Sequence, residues 1–345
     1  AEFSCTRTTV THGCNPVQDV EVIFSNEVLA SDLRDAVMSG PGGKTWKPIE
    51  FNDNAKKSLN DESGLTSIHF KAPFPEKANF KIVLPNKLKD TLGRSLTNQN
   101  KFPLSFSVTA YSPLIKFNGR FGILEFVGGA NLPVSVRNIE KKILFDQSEV
   151  QGKSLNLASM DQIKKIIDLY QRVQEKEEYP SLENDQRNVP VLKKNEGKLF
   201  YIPKPQGEND YEMMGIPLVN PGFYAVEVRS PKLGATLTTT RKEMYVPTTA
   251  LVTNMAVHLK KGMESSLVWV TNMQDANPVE NALISVRNCN GAELASGKTG
   301  KDGTVRLKGL AFFTHGKDCG QFSSSLYVFA KKDNDFSFVS RSEEH

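Results

Sequence analysis

Apolar side chains recur at every second position through much of this chain, and residues 222–272 show the pattern most clearly. Phe223, Ala225 and Val228 bracket Glu227 and Arg229, while Val252, Met255, Val257 and Leu259 stand among Thr253, Asn254, His258 and Lys260. Such near-alternation puts one face of a strand on a core and the other in solvent. Leu267, Val268, Trp269 and Val270 form a denser run, expected of a strand covered on both faces. Between the first two strands lies Tyr245-Val246-Pro247-Thr248-Thr249. Proline lacks the amide that a ladder needs, so this segment is predicted to be a passage between two β-domains, with Pro247 and Thr248 as its hinge.

The same period governs residues 19–109. Val20, Val22 and Phe24 alternate with Glu21, Ile23 and Ser25; Leu65, Ile68 and Phe70 follow, then Phe80, Ile82 and Leu84, then Leu104, Phe106 and Val108. Short β-prone segments separated by Gly, Asn and Pro turns predict a β-sandwich, with Asp90-Thr91-Leu92-Gly93-Arg94 as a tight turn. Residues 31–38 are expected to form a helical turn or two. Tyr111-Ser112-Pro113 reads as a second hinge, because the residue before a proline is pushed to extended geometry.

A different period enters once. Ile163, Ile166, Ile167, Tyr170 and Val173 recur at helical spacing behind Ser159-Met160-Asp161-Gln162, a capping box in which Ser and Gln satisfy each other's orphan amides. This predicts a helix over about 159–176, stopped by Tyr179-Pro180, with its apolar stripe facing a core rather than serving as a partner-binding ridge. From Thr249 the chain returns to β, with Asn290-Gly291 and residues 299–304 as hairpin turns. The prediction is a mostly β chain of tandem immunoglobulin-like sandwiches: 1–110, then 111–248 carrying the helical insertion, then 249–345 as a complete sandwich on its own.

Composition narrows the function. A chain of 345 residues suits two or three domains. Its 43 basic and 39 acidic side chains are spread along the chain, which argues against a dedicated nucleic-acid face. No apolar run approaches the roughly 20 residues that cross a bilayer, and no signal peptide is visible at Ala1. The four cysteines fall into two pairs close in sequence, Cys5 with Cys14 and Cys289 with Cys319. Pairs confined to single domains fit disulfides in an oxidising compartment; the alternative is four reduced core thiols in the cytosol.

Candidate chemistry is sparse. Gly43-Lys44-Thr45, Gly152-Lys153-Ser154 and Gly297-Lys298-Thr299 imitate the end of a phosphate loop, but Met38, Gln147 and Ala292 stand where its first glycine belongs. All three are read as surface turns. His12, His69, His258, His315 and His345 show no i, i+4 pair, and neither HExxH nor GxSxG occurs. His258 is expected on a polar strand face, and Asp333-Asn334-Asp335 as a turn rather than a calcium loop. The basic residues Lys141, Lys142, Lys193 and Lys194 are read as solvated. Trp46 and Trp269 sit in strand-like apolar context, against the exposed aromatic platforms of an adhesin or carbohydrate-binding array. No catalytic constellation, metal site or cofactor site is expected.

Several stretches resemble the N-terminal part of bacterial α2-macroglobulins: SVTAYSPLIKFNGRFGILE (107–125), LPVSVRNIE (132–140), GIPLVNPGFYAVEV (215–228) and, most specifically, residues 245–303. The resemblance implies three tandem macroglobulin-like sandwiches, of immunoglobulin or fibronectin-III type, from a periplasmic endopeptidase inhibitor. In that family such domains form a cage around an attacking peptidase, a bait region is cut, and a Cys–Gln thioester links to the prey. The implied partners are peptidases, through the full-length parent, and the remaining macroglobulin domains of the same chain, with tethering to the inner membrane by a lipid anchor. The thioester motif CxEQ is absent, since the four cysteines are followed by TRT, NPV, NGA and GQF, and no bait region can be assigned. Glu2-Phe3-Ser4 before Cys5 makes a poor lipobox. The resemblance therefore implies a non-enzymatic scaffold and no trapping residue.

Overall fold

The computed structural model describes residues 1–6, 13–51, 60–139, 148–176, 185–204, 212–238, 240, 242–310, 319–322 and 324–341. His12, Lys141, Lys142, Tyr179-Pro180, His315 and His345 lie outside the described residues. The chain divides into two compact units, Ala1–Ser112 and Pro113–His345.

The first unit contains β1 (Glu2–Cys5), β2 (Val20–Leu29), the helical turn α1 (Ala30–Leu33), β3 (Val37–Ser39), β4 (Thr45–Trp46), β5 (Gly64–Phe70), β6 (Asn79–Val83) and β7 (Leu104–Ser107). One sheet runs β1-β2-β5 and the other β4-β3-β6-β7. The alternation in β2 places Val20, Val22 and Phe24 inside with Ile68, Phe70, Phe74, Phe80 and Ile82. Phe80 anchors this core, with ring centroids 5.4 Å from Trp46, 5.7 Å from Phe74 and 5.5 Å from Phe106. The Asp90 turn forms as expected: Gly93 takes φ +79°, and Gly93 N–H donates to Asp90 O at 2.9 Å. Cys5 and Cys14 form a disulfide, and Cys14 N–H donates to Ser107 O at 2.9 Å, so the bond ties β1 to the end of β7. Tyr111 is fastened to this unit, its hydroxyl donating to Phe74 O at 3.1 Å and its N–H to Glu76 Oε2 at 2.9 Å. The division falls just beyond it, between Ser112 and Pro113.

The second unit opens with β8 (Leu114–Phe117), β9 (Phe121–Glu125), β10 (Asn131–Arg137), β11 (Ser148–Leu157), helix α2 (Ile163–Glu175), β12 (Lys198–Lys204), β13 (Glu212–Pro217), β14 (Gly222–Ser230), helix α3 (Pro231–Leu237) and β15 (Met244–Thr253). Sheet β13-β10-β8 faces sheet β12-β11-β14-β15-β9, in which β9 runs parallel to β15. Val134, Val136, Ile216, Val226, Val228, Ala250 and Val252 fill the space between them. The next sandwich is built from β16 (Met255–Lys260), β17 (Ser265–Asn272), β18 (Leu283–Arg287), β19 (Glu293–Lys298), β20 (Thr304–Lys308), β21 (Leu326–Lys332) and β22 (Asp335–Arg341), in sheets β16-β17-β20 and β19-β18-β21-β22.

Four expectations are corrected here. Pro247 and Thr248 are not a hinge: both lie inside β15, opposite Glu227 and Val226 of β14, and Thr248 is buried. Proline is tolerated because β9, on the other side of β15, begins pairing only at Thr249, so no ladder bond is lost at Pro247. The single strand expected over 252–259 is two strands in different sheets, with the corner at Asn254. β17 is covered on one face only, and Trp269 points outward with 43% of its surface exposed. Gly152-Lys153-Ser154 and Gly297-Lys298 are strand segments of β11 and β19 rather than turns; a Cβ at Gly152 would stand 2.3 Å from the Phe200 ring, so the glycine is a packing requirement.

Helix α3 was not foreshadowed by the sequence. Ser230 caps it by accepting Leu233 N–H at 2.9 Å, with Pro231 next. Gly234 then lets it lie against the backbone of residues 242–244, where a Cβ would come within 1.7 Å of Lys242 O.

Candidate inter-module interface

Helix α2 begins at the capping box read from the sequence. Ser159 Oγ accepts Asp161 N–H at 3.3 Å, Ser159 N–H reaches Gln162 Oε1 at 3.4 Å, and a 3₁₀ turn at Met160–Gln162 leads into the helix. Arg172 and Asp168 pair at i, i+4 with a separation of 3.0 Å. Ile163, Ile166, Ile167, Leu169 and Val173 are buried.

What they are buried against decides the architecture. One side of the stripe covers Phe223, Ala225 and Leu251 on the outer face of the β14–β15 sheet; the other meets Tyr327, Phe329, Phe336 and Phe338 on β21 and β22 of the following sandwich. The helix is a wedge with a sheet on each side. This is why β21 is buried on both faces, with Leu326, Val328 and Ala330 inside their own sandwich and Tyr327 and Phe329 under the helix. The 249–345 sandwich has its own core and also shares a second cluster with the helix and with Phe223 of β14, whose ring centroid is 5.9 Å from that of Phe338.

Aromatic and polar contacts fix the wedge in register. The Tyr170 ring sits edge-on to Phe121 at 5.4 Å, Tyr327 at 6.0 Å and Phe338 at 5.9 Å, and its hydroxyl is 3.2 Å from Ser340 Oγ. Gln171 Nε2 donates to Tyr327 hydroxyl at 3.1 Å and to Cys289 O at 3.3 Å. Burial pushes the Tyr327 phenol up to about 12, against the opposing Gln171 hydrogen bond. Cys289 and Cys319 are joined by a disulfide in the same cluster.

A second fastening stands at the corner between β15 and β16. Asn254 N–H donates to Asp335 Oδ2 at 2.8 Å, its side-chain Oδ1 accepts Val127 N–H at 3.2 Å, and its carbonyl accepts Met273 N–H at 2.8 Å. Burial holds the Asp335 carboxyl above its ordinary range, opposed by the Asn254 N–H. Asp333 takes φ +53° in the β21–β22 turn, which is what the Asp333-Asn334-Asp335 cluster forms.

Beyond the helix C-terminus, the segment leading to β12 is strapped to the same sheet. Buried Glu227 accepts Val191 N–H at 2.5 Å, Arg172 Nη1 donates to Val191 O at 2.5 Å, and Lys176 Nζ donates to Val189 O at 2.6 Å. Arg187, paired with Asp185 at 2.9 Å, donates through Nη2 to Leu237 O at 2.7 Å. Burial raises Glu227 above the usual carboxylate range and lowers Lys176 to about 8, the second effect opposed by the charges of Glu227 and Asp185. Sequence periodicity found the helix but not Gln171, Asn254 or Asp335. The one available signal was the run Leu326-Tyr327-Val328-Phe329-Ala330, apolar on both faces. Among the described residues, no group of three or more His, Cys, Asp or Glu side chains is placed to hold a metal ion.

These features define a class: a mostly β chain of tandem immunoglobulin-like sandwiches, two of which share a core cluster with one helix. Residues 252–345 match the family model for the bacterial alpha-2-macroglobulin MG3 domain. Over almost the whole chain the fold is similar to that of native alpha-2-macroglobulin from Escherichia coli spanning domains MG0-NIE-MG1, with TM-score 0.51 and 11% identity, covering 98% of this chain and 96% of that one. Salmonella alpha-2-macroglobulin reacted with methylamine is similar at TM-score 0.51 and 11% identity, with 98% of this chain covering 18% of that protein. No curated protein matches by sequence. Residues 252–345 thus match a bacterial alpha-2-macroglobulin MG3 domain, and the chain as a whole shares its fold with solved alpha-2-macroglobulin domains.

Proposed function

We propose that this chain is the N-terminal scaffold of a periplasmic alpha-2-macroglobulin-like endopeptidase inhibitor, helping to form the cage around a trapped peptidase. The carrying observation is the helical wedge, which turns two sandwiches into one stiff body, as a cage wall requires. The match of residues 252–345 to the MG3 model supports the assignment. The three-domain division belongs to the same proposal, with the second boundary moved from 248/249, which lies inside β15, to the corner at Asn254, and it is supported by the length shared with the three named domains of the E. coli structure. The two disulfides support an oxidising compartment, and hence the periplasm. Peptidases and further macroglobulin domains would be met through the parent protein, which a lipid anchor would tether to the inner membrane.

In this role the chain performs no chemistry. Incubated with a general endopeptidase, it should leave hydrolysis of a protein substrate unchanged and form no covalent adduct. The full-length parent should slow hydrolysis of large substrates while sparing small chromogenic ones. Inhibition of small-substrate cleavage by the 345-residue chain alone would overturn the proposal.

A further inference from the structure

The outer face of sheet β16-β17-β20 combines one exposed aromatic ring with a row of cations. In β17, Val268 and Val270 turn inward, so Trp269 stands on the outside, paired with His258 of β16 and Thr304 of β20. The indole and imidazole rings lie 5.4 Å apart at 35°, so His258 packs tilted against the indole, which keeps 43% of its surface exposed. The next row on the same face is Lys260, Leu267 and Arg306, and Lys308 follows one step along β20. Lys260, Arg306 and Lys308 are all exposed. The carboxylates at the margin are Glu264 in the β16–β17 turn and Asp302, which is occupied by the Thr304 N–H at 3.0 Å and hydroxyl at 2.8 Å.

We propose that this face binds an acidic polysaccharide, a polyuronate being the simplest representative. The exposed part of the indole offers an apolar surface to the C–H face of a pyranose ring, and ammonium and guanidinium groups two and four residues along the strands meet carboxylates on neighbouring sugars. Strand register sets the cations in rows beside the ring, as an extended anionic chain requires. The disulfides favour a glycan over a nucleic acid as the anion encountered. The sequence reading of residues 267–270 as a strand covered on both faces hid this face.

Binding is measured with the whole chain by Trp fluorescence and by calorimetry, using polygalacturonate, uncharged dextran of matched size and a single-stranded DNA oligonucleotide. Polygalacturonate should bind, dextran should not, and DNA should bind at least ten-fold more weakly. Trp269→Ala should weaken polygalacturonate binding at least ten-fold. The pair Lys260→Gln and Arg306→Gln should weaken it similarly and flatten its salt dependence. All these positions are on an outer face, so unchanged melting temperatures verify folding. Three results would overturn the proposal: no polygalacturonate binding, binding indifferent to Trp269→Ala, or tighter Trp269-dependent binding of DNA.

Discussion

The backbone amide of Asn254 donates to the carboxylate of Asp335 at 2.8 Å, joining the corner where the chain leaves one sandwich to the last hairpin of the next. Asp335→Ala leaves that amide without its partner and should lower stability of the 113–345 unit by about 1–3 kcal/mol. Asp335→Asn keeps an acceptor oxygen and removes a desolvated charge, so it should melt at or above the wild-type temperature at pH 7. The direction of the pKa shift gives the pH test. A carboxyl raised on folding favours the native state while protonated, and that contribution fades as pH climbs from the ordinary aspartate value of about 3.8 through the raised one. Thermal melts of the two variants against pH check both statements, and Asp335→Asn should lack this component.

Gly234 is required by contact rather than by backbone conformation. An alanine there would place Cβ 1.7 Å from Lys242 O and 2.6 Å from Met244 N, both backbone atoms that cannot swing away. Gly234→Ala should cost about 3 kcal/mol or more, or prevent folding of the second unit. Gly122, in β9, has nothing within 4 Å of its would-be Cβ. Gly122→Ala should therefore be neutral or stabilising by up to about 1 kcal/mol. Denaturant midpoints of the pair separate the two cases.

In the first unit, His69 stands between two carboxylates, with Nδ1 2.6 Å from Glu50 Oε1 and Nε2 3.0 Å from Glu21 Oε2. Burial alone would lower its pKa, but the two glutamates outweigh burial and raise it. A histidine raised on folding contributes stability that is complete below about pH 6.5, its unfolded value, and is lost as pH rises through the folded value. Wild type should therefore lose stability across that window relative to His69→Gln, whose melting profile should be flat there. The pair's worth at acidic pH should be up to about 1 kcal/mol, as for other partly exposed ion pairs.

Much of this fold was legible in the sequence because its signals are local. Ser159 and Gln162 announce the start of α2, the alternation in Val20-Glu21-Val22-Ile23-Phe24 fixes which face of β2 is inside, and Gly93 marks its turn through positive φ. The failures are tertiary. Pro247 argues against a strand interior until β9 is seen to start one residue pair too late to need its amide. Trp269 reads as core because its neighbours Val268 and Val270 are, although period 2 alone sends it to the opposite face. Helix α3 left no signal that was read, and only the backbone of residues 242–244 beside it explains why Gly234 stands there. The wedge was the least legible feature, since a helix stripe shows that something is covered but not that two sheets share it.

The account rests on α2 joining the second and third sandwiches into one cooperative body, and hydrogen exchange of wild type and Ile166→Ala tests this most directly. Ile166 is fully buried in the wedge, so truncation should cost about 2–5 kcal/mol. Amides of β14, on one side of the helix, and of β21, on the other, should lose protection together and by the same factor, while β2 and β6 in the first unit stay unchanged. Loss of protection in β14 with β21 untouched would show that the last sandwich stands by itself and would contradict the account.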